Sequence, residues 1–408
     1  MSLNGIVAPK VPAILRPNSG SPGRATMIWF RAGELVELVY QGGELKYAVW
    51  DGASVKYQKS HGNYTPPQWV ADAVKKGTVR LPSQATASGG LDDIANQMKS
   101  FIHRYFECDE DFENLAVLWA LHTWVYERFR ATPYLRFLGS WGTGKSRATE
   151  VVGAISYRPV ALTGSSSPAA LYRIIEPIGG TLLIDEADYS DTQVGTEVAK
   201  ILNSGYQQGG CVWKTEKNTN GEFVPTAYDV YGPKIINGRK AFRDDATESR
   251  CLLHRPKRKT RQDIPVQLPG DFYTEAESIR NQLLDWRMRN FEKFHENEAS
   301  EICKVLEGWG LKFEPRSMQI AGPLLTIARR LQNGGPLVRS LIQFVKDNER
   351  QFKDVLSEST EAMLIAAYAT LANNGKHPTC SEISAHVIES KEEKTQNCRK
   401  PFLQNGSG

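Results

Sequence analysis

The chain has 408 residues, of which 40% are apolar and 24% are charged, with a formal net charge of +4. This composition is ordinary for a soluble globular protein, and the length predicts two to four domains with a sizeable core. The longest uninterrupted apolar run, Leu115–Leu121, is seven residues long, well short of the roughly 20 that a membrane-spanning helix needs. Residues 1–23 also lack the apolar region of a signal peptide, so neither membrane insertion nor secretion is expected.

The six cysteines are scattered, contain no Cys-x-x-Cys pair and show no metal-ligand spacing. We therefore expect reduced thiols and a cytoplasmic location. The small net charge does not by itself predict nucleic-acid binding, but the segment His254–Arg261 places five Lys and Arg among eight residues. Such a cluster is typical of a phosphate-contacting patch, a subunit contact or a solvated linker, and the sequence leaves all three open.

The N-terminal part of the chain changes character twice. Residues 1–25 are rich in Pro, Gly, Ser and Asn and are predicted to be flexible. Residues 26–90 are predicted to form a small β-containing module followed by a linker. Within that module the strand-like pieces Leu35–Tyr40 and Leu45–Trp50 are joined by a Gln-Gly-Gly segment, which predicts a hairpin.

Residues 91–131 are predicted to form a helical connector, because apolar side chains recur at helical spacing over 91–105 and again over 112–129. Residues 132–262 alternate strand and helix patterns, which predicts a parallel sheet with helices on both faces. Ser167, followed by proline, predicts the start of one of these helices. The predicted strands of this core are Tyr134–Leu138, Pro159–Thr163, Thr181–Ile184 and Lys234–Asn237.

Strand signals stop after residue 263. Residues 263–348 are predicted to form a helical lid, and residues 349–408 part of a winged-helix or helix-turn-helix unit. The predicted fold class is therefore α/β, with a parallel-sheet core, a helical lid, a small β-containing N-terminal module and a partial winged-helix segment.

The segment Gly139–Ser146 reads GSWGTGKS, the phosphate-binding pattern GxxxxGK[ST], directly after the first predicted core strand. Glycines let the backbone N–H groups wrap around phosphate oxygens, while Lys145 supplies a positive charge and the Ser146 hydroxyl a magnesium ligand. A glycine-rich turn without a ligand is the alternative, and the strand-loop-helix context argues against it. The predicted nucleotide-binding residues are Gly139, Gly142, Thr143, Gly144, Lys145, Ser146 and Arg147.

A pair of acidic residues, Asp185 and Glu186, follows the predicted strand Thr181–Ile184. An Asp at the tip of a strand beside the phosphate loop can hold magnesium together with Ser146, and the adjacent Glu can orient or deprotonate a water molecule that attacks the γ-phosphate. A helix cap plus a solvated charge is the alternative. The sequence therefore predicts a site that binds and hydrolyses ATP with Mg²⁺.

Two further segments, Tyr231–Asn237 and Thr247–Arg250, complete a pattern over residues 132–330 that resembles the AAA+ ATPases. The chain is similar to their helicase-type branch with a hairpin before sensor 1, which includes minichromosome maintenance helicases and replication proteins of mobile elements or phages. The resemblance implies that Asn237 is sensor 1 and positions the lytic water with Glu186. It implies that Arg250 is an arginine finger that reaches a neighbouring subunit.

The same resemblance implies that Arg316, which opens a lid helix, is sensor 2. Arg239, Arg243 and Arg255 are alternative candidates for the contact in trans. Trp141, inside the phosphate loop, is expected to pack at the outer surface of the loop without a chemical role.

The segment between Cys211 and Thr226 contains an Asn-Gly pair between two strand patterns, which predicts a hairpin. The resembling helicases place such a hairpin in their central pore. Trp213 or Phe223 is expected to stack on bases or to pack the hairpin. An ordinary surface hairpin with solvated lysines is the alternative. The residues expected to contact nucleic acid are Lys214, Lys217, Asn218 and Asn220.

The resemblance implies an ATP- and Mg²⁺-dependent motor that assembles into a homo-oligomeric ring, expected to be hexameric, and translocates on single-stranded or forked DNA. It also implies a bacterial, archaeal or phage origin and a primase or other replication partner. The chain departs from many such helicases because its N-terminal module lacks zinc-ligand cysteines. A regulatory or scaffolding ATPase is the alternative; a small-molecule kinase would leave Glu186, Asn237 and Arg250 without a use.

Overall fold

The structure, a computed structural model, describes residues 29–31, 33–62, 64–163, 166–185, 193–217, 220–242, 244–295, 297–308 and 313–357, with residues 368, 379, 382 and 385. Two units are present, Met1–Val345 and Lys346–Gly408. Most of the predicted winged-helix segment, 349–408, lies outside the described residues. In the described ranges no helix combines the length and apolar character needed to cross a membrane.

The N-terminal module is an antiparallel sheet of four strands in sequence order. The strands are β1 (Trp29–Arg31), β2 (Glu34–Gln41), β3 (Glu44–Trp50) and β4 (Val55–Gln58). The predicted hairpin is confirmed by β2 and β3, whose turn residues Gly42 and Gly43 have φ of 62° and 83°. Two consecutive residues with positive φ match the turn that follows the twist of a hairpin, and glycine adopts it without strain.

Three helices lead from this sheet to the core: α1 (Gln68–Lys75), α2 (Leu91–Tyr105) and α3 (Glu110–Thr123). The second helical prediction was too long, because α3 ends at Thr123 and a short 3-10 turn follows at Tyr126–Arg128. Side chains take up the carbonyl groups that a continuing helix would use. The Thr123 hydroxyl donates to the Ala120 carbonyl oxygen at 2.6 Å, and Arg287 donates to the Trp124 carbonyl oxygen.

The core is a five-stranded, fully parallel sheet. Its strands are β5 (Tyr134–Leu138), β6 (Val160–Thr163), β7 (Leu182–Asp185), β10 (Lys234–Gly238) and β11 (Cys251–His254), and an antiparallel hairpin of β8 (Cys211–Lys217) and β9 (Phe223–Asp229) stands apart from it. The spatial order β11-β5-β10-β7-β6 puts β5 and β10 in the middle, where every residue is buried. Strands buried on both faces read as continuous apolar runs, which is the pattern that identified them in the sequence.

The core helices are α4 (Lys145–Ala154), α5 (Pro168–Ile178), α6 (Gln193–Ser204) and α7 (Asp245–Glu248), followed by α8 (Phe272–Asn290), α9 (Glu298–Gly308), α10 (Pro315–Ala328) and α11 (Gly335–Ser357). The predicted start of a helix at Ser167 is confirmed, since its hydroxyl accepts the backbone N–H of Ala170 at 3.2 Å and Pro168 is the first helical residue. Both features satisfy or remove donors that the first turn of a helix leaves without partners.

A buried ionic network joins the N-terminal sheet to the core. Glu37 of β2 accepts Arg158 Nη2 and Arg287 Nε, both at 2.6 Å, and the Tyr157 hydroxyl at 2.8 Å. Arg287 also pairs with Glu127 at 2.8 Å. Burial opposes ionisation of Glu37, but the charges of Arg287 and Arg158 outweigh it and lower the pKa of that carboxyl group. Residues from β2, the segment between α4 and β6, and α8 therefore share one charged cluster.

Candidate nucleotide site and hairpin

The phosphate loop connects β5 to α4 and owes its shape to glycine. Gly142 and Gly144 have φ of 77° and 89°, a region that other residues adopt only with strain. Lys145 lies folded back over the loop, where its Nζ donates to the Ser140 carbonyl oxygen at 2.8 Å. Trp141 is 81% exposed at the loop surface. The loop thus opens toward solvent with the first turn of α4, where free N–H groups and the helix dipole favour an anion.

Ser146 and Asp185 meet beside this loop. The Ser146 hydroxyl donates to Asp185 Oδ1 at 3.2 Å, although the two residues are 39 positions apart in the sequence. A hydroxyl and a carboxylate are oxygen donors of the kind that Mg²⁺ prefers when a nucleotide supplies the remaining ligands. These residues therefore fit a nucleotide-bound magnesium ion. In the described part of the chain, no cluster of three or more His, Cys, Asp or Glu side chains could hold a metal by itself.

Asn237 lies between the two parts of the site. It belongs to β10, the strand inserted between β5 and β7, and it follows the residue that pairs with Ile184. Its side chain is 1% exposed, and Nδ2 donates to Thr149 Oγ1 at 3.0 Å. Thr149 in turn donates to the Lys145 carbonyl oxygen at 3.1 Å. The amide is therefore held in one orientation next to Asp185, at the edge where the strands of an open parallel sheet bind ligands.

Arg147, predicted among the nucleotide-binding residues, has its guanidinium group directed at backbone oxygens. It donates to the carbonyl groups of Tyr105 (3.4 Å), Pro265 (3.0 Å) and Val266 (2.7 Å). The side chain therefore ties α4 to the end of α2 and to the segment after β11. Glu186, the predicted water-orienting residue, lies outside the described residues, as do Arg243 and Asn218.

The basic cluster 254–261 runs beside the phosphate loop. A Cβ atom placed on Gly142 would lie 4.0 Å from Arg258 Nε, and one on Gly139 would lie 3.8 Å from the Pro256 carbonyl oxygen. The segment is fixed by Glu107, whose carboxylate accepts the backbone N–H groups of Thr260 (2.6 Å) and Arg261 (3.0 Å).

Arg250 lies at the opposite edge of the sheet. Its carbonyl oxygen accepts the N–H of Tyr134, the first residue of β5, at 3.0 Å. The five residues of β5 span roughly 13 Å, at about 3.3 Å per residue, before the phosphate loop begins. The guanidinium group lies against the Tyr206 ring, with Cζ 4.4 Å from the centroid, and Nη1 donates to the Ala246 carbonyl oxygen. Arg250 therefore cannot reach a nucleotide bound to its own phosphate loop.

Arg316 lies at this same edge. Its Nη1 donates to the Tyr206 hydroxyl at 2.5 Å, and Cζ is 4.9 Å from the centroid of that ring. The backbone oxygen of Tyr206 accepts the N–H of Thr132 at 2.8 Å, which places the tyrosine just before β5. Arg250 and Arg316 are thus brought together, and both are separated from Lys145 by the length of β5.

The predicted hairpin is confirmed by β8 and β9, which pair from Cys211 with Asp229 to Lys217 with Phe223. Its two faces differ. Lys214 lies on the half-buried face, 3.4 Å from Glu197 Oε2 of α6 and 5.6 Å from the centroid of the Tyr172 ring.

The other face of the hairpin is exposed to solvent. Trp213 and Phe223 on this face are 66% and 69% exposed, and Lys217 Nζ is 5.2 Å from the centroid of the Phe223 ring. Asn220 lies in the connecting turn and is exposed. An exposed ring beside a lysine, with a second exposed ring on the same face, is a surface on which bases can stack while the lysine contacts phosphate.

The sequence patterns did not predict a role for two residues that contact the predicted site residues. Thr149 follows Lys145 by one helical turn, so its position on the same face of α4 was available from the spacing. Tyr206 carries no comparable signal, because its contacts with Arg250 and Arg316 cross 44 and 110 positions.

A five-stranded parallel sheet with a glycine-rich loop at the carboxyl end of a central strand defines an α/β fold of the P-loop nucleotide-binding type. No known family profile matches the chain. No curated protein matches it either.

Among solved structures, the chain is similar to the active helicase "SCCmec type IV Cch" at 14% identity and a TM-score of 0.42, with 86% of this chain and 63% of that chain covered. It is similar to the NrS-1 C-terminal region at 13% identity and a TM-score of 0.31, with 69% and 73% covered. It is similar to a full-length MCM homolog from Methanopyrus kandleri at 11% identity and a TM-score of 0.36, with 79% of this chain and 75% of that chain covered. The chain thus spans less than two thirds of the SCCmec helicase, and TM-scores below 0.5 leave the strand order and site geometry as the evidence for the fold.

Proposed function

We propose that the chain is an AAA+ ATPase of the helicase type that assembles into a ring, expected to be hexameric, and moves along DNA by hydrolysing ATP. The observation that carries the proposal is the division of the site between two edges of one sheet. Lys145, Ser146, Asp185 and Asn237 lie at the carboxyl edge, and Arg250 lies at the amino edge. A site divided in this way is completed when the amino edge of one copy meets the carboxyl edge of the next.

The residues at the carboxyl edge bind the nucleotide and position water. The phosphate loop and Lys145 grip the phosphates once Lys145 leaves the Ser140 carbonyl oxygen. Ser146 and Asp185 would hold Mg²⁺, which supplies positive charge at the β- and γ-phosphate oxygens. Asn237 fixes the attacking water on the γ-phosphate side together with Glu186, which takes the proton or orders the water.

The arginines of the neighbouring copy complete the site. Arg250 and Arg316 place guanidinium groups at the γ-phosphate of the adjacent subunit, where they stabilise the charge that spreads over the phosphoryl oxygens in the transition state. Hydrolysis then depends on assembly. The hairpin of β8 and β9 lies between α6 and β10 in the chain. A conformational change at Asp185 or Asn237 can therefore reach the hairpin through these adjoining elements.

The hairpin is the proposed DNA contact. We assign base stacking to Trp213 and Phe223 and the phosphate contact to Lys217, because these side chains share the exposed face. Asn220 in the turn adds a hydrogen bond, and we assign the same role to Asn218 from the sequence. Lys214 contributes less in this proposal, because it is engaged by Glu197. We expect little specificity for the DNA sequence, since stacking and charge do not distinguish bases strongly.

The proposal is tested by measuring ATP hydrolysis with and without single-stranded DNA, with Lys145→Ala as the blank. DNA should stimulate the wild-type protein, and Lys217→Ala and Phe223→Ala should lose both DNA binding and stimulation while basal hydrolysis continues. Lys59→Ala, which removes an exposed lysine of the N-terminal sheet, is the matched control for net charge. Unchanged DNA binding and stimulation in both hairpin variants would overturn the DNA contact. If the wild-type protein hydrolyses ATP at the same rate with and without DNA, the result would instead favour a switching or scaffolding ATPase.

A further inference from the structure

Tyr206 follows α6 and holds two guanidinium groups at once. Its side chain is buried, at 6% exposure. Arg250 and Arg316 approach its ring with Cζ atoms 4.4 Å and 4.9 Å from the centroid, and Arg316 also donates to its hydroxyl at 2.5 Å. One aromatic ring therefore fixes two arginines that come from separate elements, the end of α7 and the start of α10.

The two positive charges are not neutralised by a shared carboxylate. Within the part of the chain that the structure describes, neither arginine forms an ion pair. Asp244 is the acidic group that acts on Arg250, but its carboxylate already accepts the Ala246 N–H at 3.0 Å and the Thr247 hydroxyl at 3.1 Å. Arg250 Nη1 donates to the Ala246 carbonyl oxygen, and Arg316 Nη1 also donates to Gln319 Oε1 at 3.0 Å, so the acceptors that hold both guanidinium groups are neutral oxygens. Two guanidinium groups held side by side on one ring, without a carboxylate partner, are arranged to bind an anion.

The position of Tyr206 suits a nucleotide that is bound to an adjacent copy of the chain, and not one that is bound to the phosphate loop of the same copy. Its backbone bonds to Thr132, and Arg250 bonds to Tyr134, so the cluster lies at the amino edge of the sheet. The phosphate loop lies beyond the opposite end of β5. Aromatic rings attract guanidinium groups through their negative faces, and this attraction offsets the repulsion between the two cations.

We infer that Tyr206 is a positioning residue that holds Arg250 and Arg316 as one anion-binding pair for the γ-phosphate of the nucleotide on the adjacent copy. This inference rests on the proposed function, because it requires that hydrolysis is completed in trans. The ring fixes the spacing of the two guanidinium groups, and the hydroxyl fixes the orientation of Arg316. A pair set in advance avoids ordering two long side chains during each catalytic cycle.

The test uses mixtures of full-length variants. A subunit with Lys145→Ala keeps its arginines but cannot grip a nucleotide, and a subunit with Arg250→Ala keeps its phosphate loop but lacks the finger. Mixing the two should restore part of the hydrolysis that each lacks alone. Tyr206→Leu is then added either to the Lys145→Ala subunit, which donates the arginines, or to the Arg250→Ala subunit, which accepts them.

The expected result depends on which of the two subunits carries Tyr206→Leu. Tyr206→Leu in the donating subunit should reduce the restored hydrolysis by on the order of tenfold to a hundredfold, as a misplacement of about 1 Å can. The same change in the accepting subunit should leave restoration in place. Tyr206→Phe in the donor should retain most of the effect of the ring and lose the hydrogen bond to Arg316. Fluorescent ATP analogues should bind wild type and Tyr206→Leu with equal affinity.

Three outcomes are distinguishable. If the wild-type protein hydrolyses ATP but mixing the Lys145→Ala and Arg250→Ala variants never restores hydrolysis, the proposal of hydrolysis in trans is wrong. The inference about Tyr206 is then wrong as well. If they restore each other and Tyr206→Leu in the donor has no effect, the inference alone is wrong. Equal losses from both placements, together with a lowered melting temperature, would show that Tyr206 is needed only for folding and would also overturn the inference.

Discussion

Asn237 is the buried side chain to which the proposed function assigns the positioning of the attacking water. Its amide is fixed by Thr149 Oγ1 at 3.0 Å and lies one strand away from Asp185. Asn237 is 1% exposed, and its hydrogen bond to Thr149 offsets the free-energy cost of burying a polar group at this strand end. Its position relative to the phosphate loop was predictable from the sequence, because strand ends in a parallel sheet meet at one edge. Its partner Thr149 was not singled out.

We predict that Asn237→Ala lowers kcat for ATP hydrolysis by on the order of a hundredfold and changes KM for ATP little. The water would lose its orientation, while Lys145 and the loop would still bind the phosphates. Steady-state hydrolysis and binding of a fluorescent ATP analogue measure the two parts separately. Thr149→Val is the companion variant, because it removes the hydroxyl that orients the amide and should lower kcat in the same direction. A loss of nucleotide binding that matches the loss of kcat would contradict the assignment.

At the scale of elements, β11 is held against α3 by aromatic stacking. His254, its last residue, stacks on Phe112 with ring centroids 3.7 Å apart and planes 17° from parallel. The pKa of His254 is lowered to about 4, mainly by burial; the charge of Asp109 opposes this shift and that of Lys257 adds to it. The native imidazole is therefore neutral at pH values where the same group in the unfolded chain binds a proton.

This difference predicts acid sensitivity with a definite sign. Below the unfolded pKa of about 6.5, the unfolded chain gains a proton that the native chain does not, so the free energy of unfolding falls as pH decreases toward about 4. The contribution is about 3 kcal/mol over this interval. His254→Phe should remove it, so urea midpoints measured at pH 7 and pH 4.5 should differ less in the variant than in the wild type. Parallel pH dependence in the two proteins would contradict the prediction.

The elements that the sequence predicted well are those whose signals are local. The phosphate loop, the Asn-Gly hairpin and the cap at Ser167 each lie within a few residues, and the structure has the corresponding loop, strands and helix start. The error at α3 involves a distant residue, because Arg287, 163 positions further along the chain, takes the Trp124 carbonyl group that a continuing helix would use. No periodicity within the helix reports such a distant competitor.

At the scale of the whole molecule, the charged cluster around Glu37 is the feature that local patterns could least reveal. Arg158 and Arg287 are 121 and 250 positions from Glu37 in the sequence, yet each has a guanidinium nitrogen 2.6 Å from a carboxylate oxygen of Glu37. In the sequence each is an ordinary charged residue. Their side chains are 0% or 1% exposed in the structure, so the N-terminal sheet and α8 are joined to the core through charges removed from water.

We predict that Glu37→Gln destabilises the protein by about 3 to 5 kcal/mol, because it leaves Arg158 and Arg287 buried without their shared carboxylate. Glu34→Gln, on the same strand but partly exposed and 3.7 Å from His61, is the matched control and should cost about 1 kcal/mol or less. Urea unfolding followed by tryptophan fluorescence compares the two. Since the pKa of Glu37 is lowered in the native state, its contribution is complete above about pH 4.5 and is lost as pH falls through the native value. Equal midpoints for the two variants at pH 7 would show that the network does not hold the N-terminal sheet to the core.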